Sequence, residues 1–76
     1  MDELIASIAR KIVSNPDDVE VTCQADDDVE RYELSVAQED LGKVIGRKGR
    51  TARAFRTLLE AASAKSGRRL ELEIVE

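Results

Sequence analysis

A chain of 76 residues, 42% hydrophobic and 37% charged, makes one small domain over residues 1–76 and excludes a low-complexity or disordered polymer. With no histidine and a single cysteine, Cys23, the sequence offers no internal disulfide, no zinc or other cofactor site and no His-based catalysis. The net charge of −4 hides a division: residues 1–40 hold 3 basic and 12 acidic side chains, residues 41–59 hold 6 basic and none acidic, and residues 60–76 hold 3 and 4.

The first element is a helix. Leu4, Ile5, Ile8, Ile12 and Val13 recur at steps of three and four and form one apolar stripe. Asp2 and Glu3 favour its start and Arg10 and Lys11 its end, in keeping with the helix dipole. Asn15-Pro16 stops it, since the residue before proline is pushed out of the α region. Met1-Asp2-Glu3-Leu4 lacks the basic start of a secretory signal, and no apolar run nears the ~18 residues of a membrane span.

Residues 19–25 alternate, with Val19, Val21, Cys23 and Ala25 on the inner face, and Cys23 reads as a small core residue. Asp26-Asp27-Asp28 is a polar, solvated turn, because the spaced oxygen ligands of a calcium loop are missing. Residues 30–36 alternate again, with Tyr32, Leu34 and Val36 inward, so the two runs form an antiparallel hairpin. Leu41, Val44 and Ile45 fit a short helix with Glu39 and Asp40 at its positive end, and Gly42 reads as a point of close helix packing. Gly46-Arg47-Lys48-Gly49 interrupts it. A longer helix runs from about Arg50 to Lys65 on the stripe Ala52, Phe55, Leu59 and Ala62, and Gly67 closes it. Leu70, Leu72 and Ile74 alternate with Arg69, Glu71 and Glu73 in a last strand.

The order is therefore α-β-β-α-α-β, an α+β fold. A two-helix crossover makes the second and third strands parallel, with a right-handed connection, in a three-stranded mixed sheet. Each strand has one apolar face, so the helices cover one side and the other is open to water. That open face carries Glu20, Thr22, Gln24, Arg31, Glu33, Ser35, Arg69, Glu71 and Glu73, which are mostly acidic and include no aromatic. It offers neither stacking platforms nor attraction for phosphate, so a nucleic acid approaches elsewhere.

The basic segment is where it approaches. Two glycines bracket two cations between helices: Gly46 and Gly49 permit positive φ, and the unsatisfied N–H groups opening the next helix attract phosphate. Arg47 and Lys48 add charge at the tip, with Lys43, Arg50 and Arg53 flanking it, and Ile45 supplies apolar surface for bases. A Walker A loop is excluded because the residue five after Gly42 is Arg47, not glycine. A helix-turn-helix DNA binder fits poorly with a short first helix and three strands. No nucleophile–base pair is visible, which argues against an enzyme.

Val44-Ile45-Gly46-Arg47-Lys48-Gly49 within β-α-α-β resembles the K-homology (KH) domain and its Gly-x-x-Gly loop, in the type II arrangement. The stretch from Gly42 to Leu59 is similar to the small bacterial stand-alone KH proteins of the KhpA family, departing from the wider KH pattern at Ala52 and Phe55. The resemblance implies a cytoplasmic protein that binds single-stranded RNA, acting as an RNA chaperone or post-transcriptional regulator linked to cell-length and cell-envelope control. It also implies a homodimer, or a heterodimer with a KhpB (Jag)-type KH protein. The RNA groove would lie between the Gly46–Gly49 loop with its helices and the strand edge opposite, with Lys65, Arg68 and Arg69 at its far rim. A protein-interaction adaptor with the same fold is the alternative reading.

Overall fold

The computed structural model describes residues 1–76. Its elements are α1 (Asp2–Ile12), β1 (Glu20–Ala25), β2 (Val29–Ser35), α2 (Leu41–Ile45), α3 (Arg50–Ser66) and β3 (Arg69–Ile74), with single 3-10 turns at Pro16–Asp18, Gln38–Asp40 and Arg47–Gly49. The predicted order is the order found.

The sheet runs β1-β2-β3. β1 and β2 are antiparallel with Cys23 opposite Tyr32, and β2 and β3 are parallel with Tyr32 beside Leu72. The hairpin closes because the Asp26 carboxylate accepts the N–H groups of Asp28 (3.1 Å) and Val29 (2.9 Å), a side-chain mimic of a backbone turn. These N–H groups hold the Asp26 carboxyl below its usual pKa. The α2–α3 crossover then returns the chain alongside β2, and β3 is left as an edge strand.

The core lies between sheet and helices. Ile5, Ala6 and Ala9 of α1 meet Tyr32 and Leu34 of β2, Val44 of α2, Phe55 and Leu59 of α3, Leu72 of β3 and Val19. Tyr32 and Phe55 are both inside, as the alternation and the helical stripe predict. Burial drives the Tyr32 hydroxyl pKa up to about 12, helped by the charge of Glu30.

Three expectations are corrected. On α1, Leu4 and Ile12 are exposed while Ala6 and Ala9 are buried. The two alanines let the helix approach the sheet closely, and that rotates the contact away from the larger side chains. Cys23 is exposed rather than in the core. Its parity is right, but it stands on the outer strand, and the helix layer does not extend over Cys23 and Ala25. Gly42 is not a close-packing point, since a Cβ there would meet nothing within 4 Å.

Asp40 is the largest departure. Its residue is 0% exposed. Its carboxylate accepts the N–H groups of Ser14 (3.1 Å) and Asn15 (3.0 Å) and the Asn15 amide (3.1 Å), and pairs with Lys43 at 3.5 Å. The side chain fastens the segment after α1 to the start of α2. Burial pushes its pKa up, but those donors and the Lys43 ammonium outweigh burial and hold it below the usual aspartate value.

Candidate nucleic-acid interface

α2 ends at Gly46, whose φ of 78° no β-carbon-bearing residue adopts easily. The Gly46 N–H bonds back to Gly42 and the Gly49 N–H to Gly46, so the loop is one tight turn. Lys48 sits at φ 57°, ψ 25° and Gly49 at φ 75°, ψ 15°, two successive left-handed residues. The sequence predicts the positive φ of both glycines; that of Lys48 it does not reveal. The effect is to hold Arg47 and Lys48 outward at an exposed tip. No side chain caps α3, and Gly49 stands at its N-cap; the Gly49 and Arg50 N–H groups bond back to the Gly46 and Arg47 carbonyls, and the positive end of the helix dipole stands beside the two cations.

Beside the loop runs a groove of about 590 Å³. Ile45, Gly49, Ala52, Arg53 and Arg56 form one wall, and Glu73, Ile74 and Glu76 form the other. Of the residues proposed from sequence, Ile45, Gly49 and Arg53 meet in this groove, and Gly46, Arg47 and Lys48 complete the loop at its end. Arg50 lies on the outer side of α3, with Arg53, Ala54 and Thr57 around a shallow hollow. Lys43 is turned away: its ammonium pairs with Asp40 and donates to the Ser14 hydroxyl.

The far rim is also engaged within the fold. Arg68 donates to the carbonyls of Asp26 (2.6 Å) and Asp27 (3.1 Å) and pairs with Glu30, which clamps the hairpin turn. Arg69 pairs with Glu71 at 3.0 Å and lines a second hollow with Arg56 and Ser63; Lys65 lines neither. Sequence reasoning misses Arg56, and it expects a strand edge opposite the loop without naming Glu73, Ile74 and Glu76. Arg56 carries a signal, standing three residues beyond Arg53 on one helix face. The β3 wall depends on strand order, which alternation does not encode.

The electrostatics divide the cations in two. Arg31, Lys43, Arg68 and Arg69 are each paired with a carboxylate. Arg47, Lys48, Arg50, Arg53 and Arg56 have no acidic partner and are all exposed. Arg10, Lys11 and Lys65 are unpaired and exposed as well, but they stand apart from the five that follow one another from the loop along α3.

An α-β-β-α-α-β domain with a three-stranded mixed sheet, interrupted between its paired helices by a glycine-bracketed basic loop, is a type II KH domain. A family model of the KhpA/KhpB KH domain matches residues 2–74, and the chain belongs to that family. It is 46% identical over 76 residues to the RNA-binding protein KhpA of Listeria monocytogenes EGD-e, covering 100% of both chains. It is 51% identical over 75 residues to that of Treponema pallidum, covering 99% of this chain and 94% of the relative. With KhpA of Caldanaerobacter subterraneus it shares 48% over 75 residues, covering 99% and 100%. No solved structure matches. No helix is long and apolar enough to cross a membrane.

Proposed function

We propose that the domain, residues 1–76, binds single-stranded RNA in the groove beside Gly46–Gly49, without catalysis. The observation that carries this is the run of five unpaired cations, Arg47, Lys48, Arg50, Arg53 and Arg56, along the loop and α3. The loop grips phosphate through Arg47, Lys48 and the positive end of the α3 dipole, while Ile45 and Ile74 give the bases an apolar floor. Neither aromatic is free to stack, because Tyr32 and Phe55 are buried. Each base therefore lacks the ~1–3 kcal/mol that stacking supplies, and affinity for a short strand is micromolar or weaker. Three to five phosphate contacts give a salt slope of about −2 to −3.5.

The role in the cell that fits is an RNA chaperone or post-transcriptional regulator in the cytoplasm, linked to cell-length and envelope control. It would work as a homodimer or with a KhpB (Jag)-type partner. The adaptor reading has its own observation: an apolar cleft of about 100 Å³ between α1 and α3, lined by Ile8, Thr51, Ala54, Phe55 and Leu58, would suit a protein partner. The deciding measurement is anisotropy with a labelled single-stranded RNA octamer against a blunt RNA duplex of equal length. Tighter binding of the single strand is expected; equal affinity or no binding overturns the RNA reading.

A further inference from the structure

The two walls of the groove carry opposite charge. Arg53 and Arg56 stand on the α3 side; Glu73 and Glu76 stand on the β3 side. No ion pair joins them, so each guanidinium and each carboxylate is more than 4.0 Å from the opposite charge. A strand lying between them is drawn to α3 by its phosphates and kept from β3 by the carboxylates. The backbone therefore follows α3, and the base edges turn toward β3.

Glu73 is poorly explained by the fold. In the parallel register it sits beside Glu33 of β2, carboxylate next to carboxylate, with no cation paired to either. Glu33 has only the Thr22 hydroxyl, at 3.3 Å. Like charges side by side in a sheet are destabilising. One step earlier in the same two strands, Arg31 stands beside Glu71 and pairs with it at 3.2 Å. The sheet thus matches charges at the Arg31–Glu71 step and leaves them unmatched at the Glu33–Glu73 step, where β3 borders the groove.

A carboxylate at that lip accepts hydrogen bonds and cannot donate. Cytosine and adenine present exocyclic amino donors, and guanine presents one at N2, whereas the corresponding position of uracil is the O4 acceptor. The geometry points to Glu73 as a base-selecting residue: a strand in the groove is favoured when its bases carry an amino group and disfavoured when they are uracil. This rests on the RNA reading above and adds a sequence preference to it.

Octacytidylate and octauridylate test it, because the two bases differ only at the amino group against O4, the position assigned to Glu73, and at N3, an acceptor in cytosine and an N–H in uracil. Their affinities are measured by anisotropy for the full chain and for Glu73→Gln, with a melting curve for each protein. The wild type should prefer the cytidine octamer about three- to tenfold, the yield of one net hydrogen bond. Glu73→Gln, whose amide can donate to O4, should bind the uridine octamer more tightly and narrow the ratio to less than about twofold, at an unchanged or higher melting temperature. Glu73→Lys should tighten both octamers and steepen the salt slope by about 0.7. Equal binding of the two octamers by the wild type, or an unaltered ratio in Glu73→Gln, overturns the assignment while leaving RNA binding intact. Failure to bind either octamer removes the RNA reading and this assignment together.

Discussion

Gly46 and Thr51 pack against each other without room for a side chain between them. A Cβ on Gly46 would stand 2.3 Å from the Thr51 hydroxyl oxygen, 2.7 Å from its backbone nitrogen and 2.8 Å from its Cβ. A Cβ on Gly49, three residues later, would meet nothing within 4 Å. Both glycines have positive φ, so the loop keeps them for different reasons. Gly46 lets the end of α2 dock on the first turn of α3, whereas Gly49 supplies conformation and leaves open space where a phosphate can approach the backbone.

The two glycines should therefore respond differently to substitution. Gly49→Ala costs the left-handed conformation alone, about 1–2 kcal/mol. Gly46→Ala adds a forced separation of packed atoms, for about 2–5 kcal/mol in all. Adding Thr51→Ala to Gly46→Ala should not restore stability, because the nitrogen and Cβ of residue 51 remain in the way. Urea unfolding of wild type and these three variants checks this. Restoration by Thr51→Ala would mean that the hydroxyl, not the backbone, sets the limit.

Asp40 makes stability depend on acid. Its folded pKa lies below the ordinary value of 3.8, so the unfolded chain takes up its proton first as pH falls. The stabilisation is complete above the unfolded pKa and is lost as pH drops through the folded one. Asp26, lowered in the same direction, adds to the same limb. Asp40→Asn should melt lower than wild type at pH 7, since its amide faces the Ser14 and Asn15 N–H groups with one oxygen instead of two. The gap between the two proteins should narrow as pH falls below about 3.8 and close as it passes through the lowered folded value. Melting curves across that range give the answer, and a constant gap would show that the Asp40 charge does not contribute.

Why Asp40 is illegible in the sequence is physical. Its donors come from Ser14 and Asn15, 26 and 25 positions earlier, and no local pattern marks such a partner. Periodicity finds the three strands and the two long helices because each side chain's face is set by its immediate neighbours. It misplaces Cys23 and the buried face of α1 because face and cover are separate matters: parity says which side a residue points to, and only tertiary packing says whether anything lies there. The basic wall of the groove is legible for the same reason as the helices, since the loop and Arg53 lie close together in the chain. Glu73 and Ile74 join it only through the order β1-β2-β3, which places β3 at the edge.

Gly42 offers a stabilising change. It lies inside α2, at a position where the added Cβ meets nothing within 4 Å, and its φ is not positive. Gly42→Ala should raise stability by about 0.5–1 kcal/mol by reducing the freedom of the unfolded chain. Being outside the groove, it should leave RNA affinity within about twofold. Denaturant midpoints and an anisotropy titration measure both. A loss of stability would place an unrecognised constraint on α2.

The loop itself is tested by Arg47→Asp with Lys48→Asp. Both side chains are exposed at the tip and neither forms an ion pair, so the fold should change by no more than about 0.5 kcal/mol at each. Position 48 is left-handed, at φ 57°, and aspartate is among the residues that visit this region most readily. Binding has no such tolerance. Two charges that neutralise phosphate become two that repel it, beside the positive end of the α3 dipole. For a single strand the salt slope falls by about 0.7 for each phosphate that is no longer neutralised, so the double variant should flatten it by about 1.4 and bind far more weakly at low salt. Anisotropy across a salt series, with circular dichroism and melting as the control for folding, measures both effects. The uncharged double variant, Arg47→Asn with Lys48→Asn, should flatten the slope to the same degree with a smaller drop in affinity, because it removes attraction without adding repulsion. A folded aspartate variant with unaltered affinity and slope would show that the phosphates are held by Arg50, Arg53 and Arg56 on α3 and not by the loop.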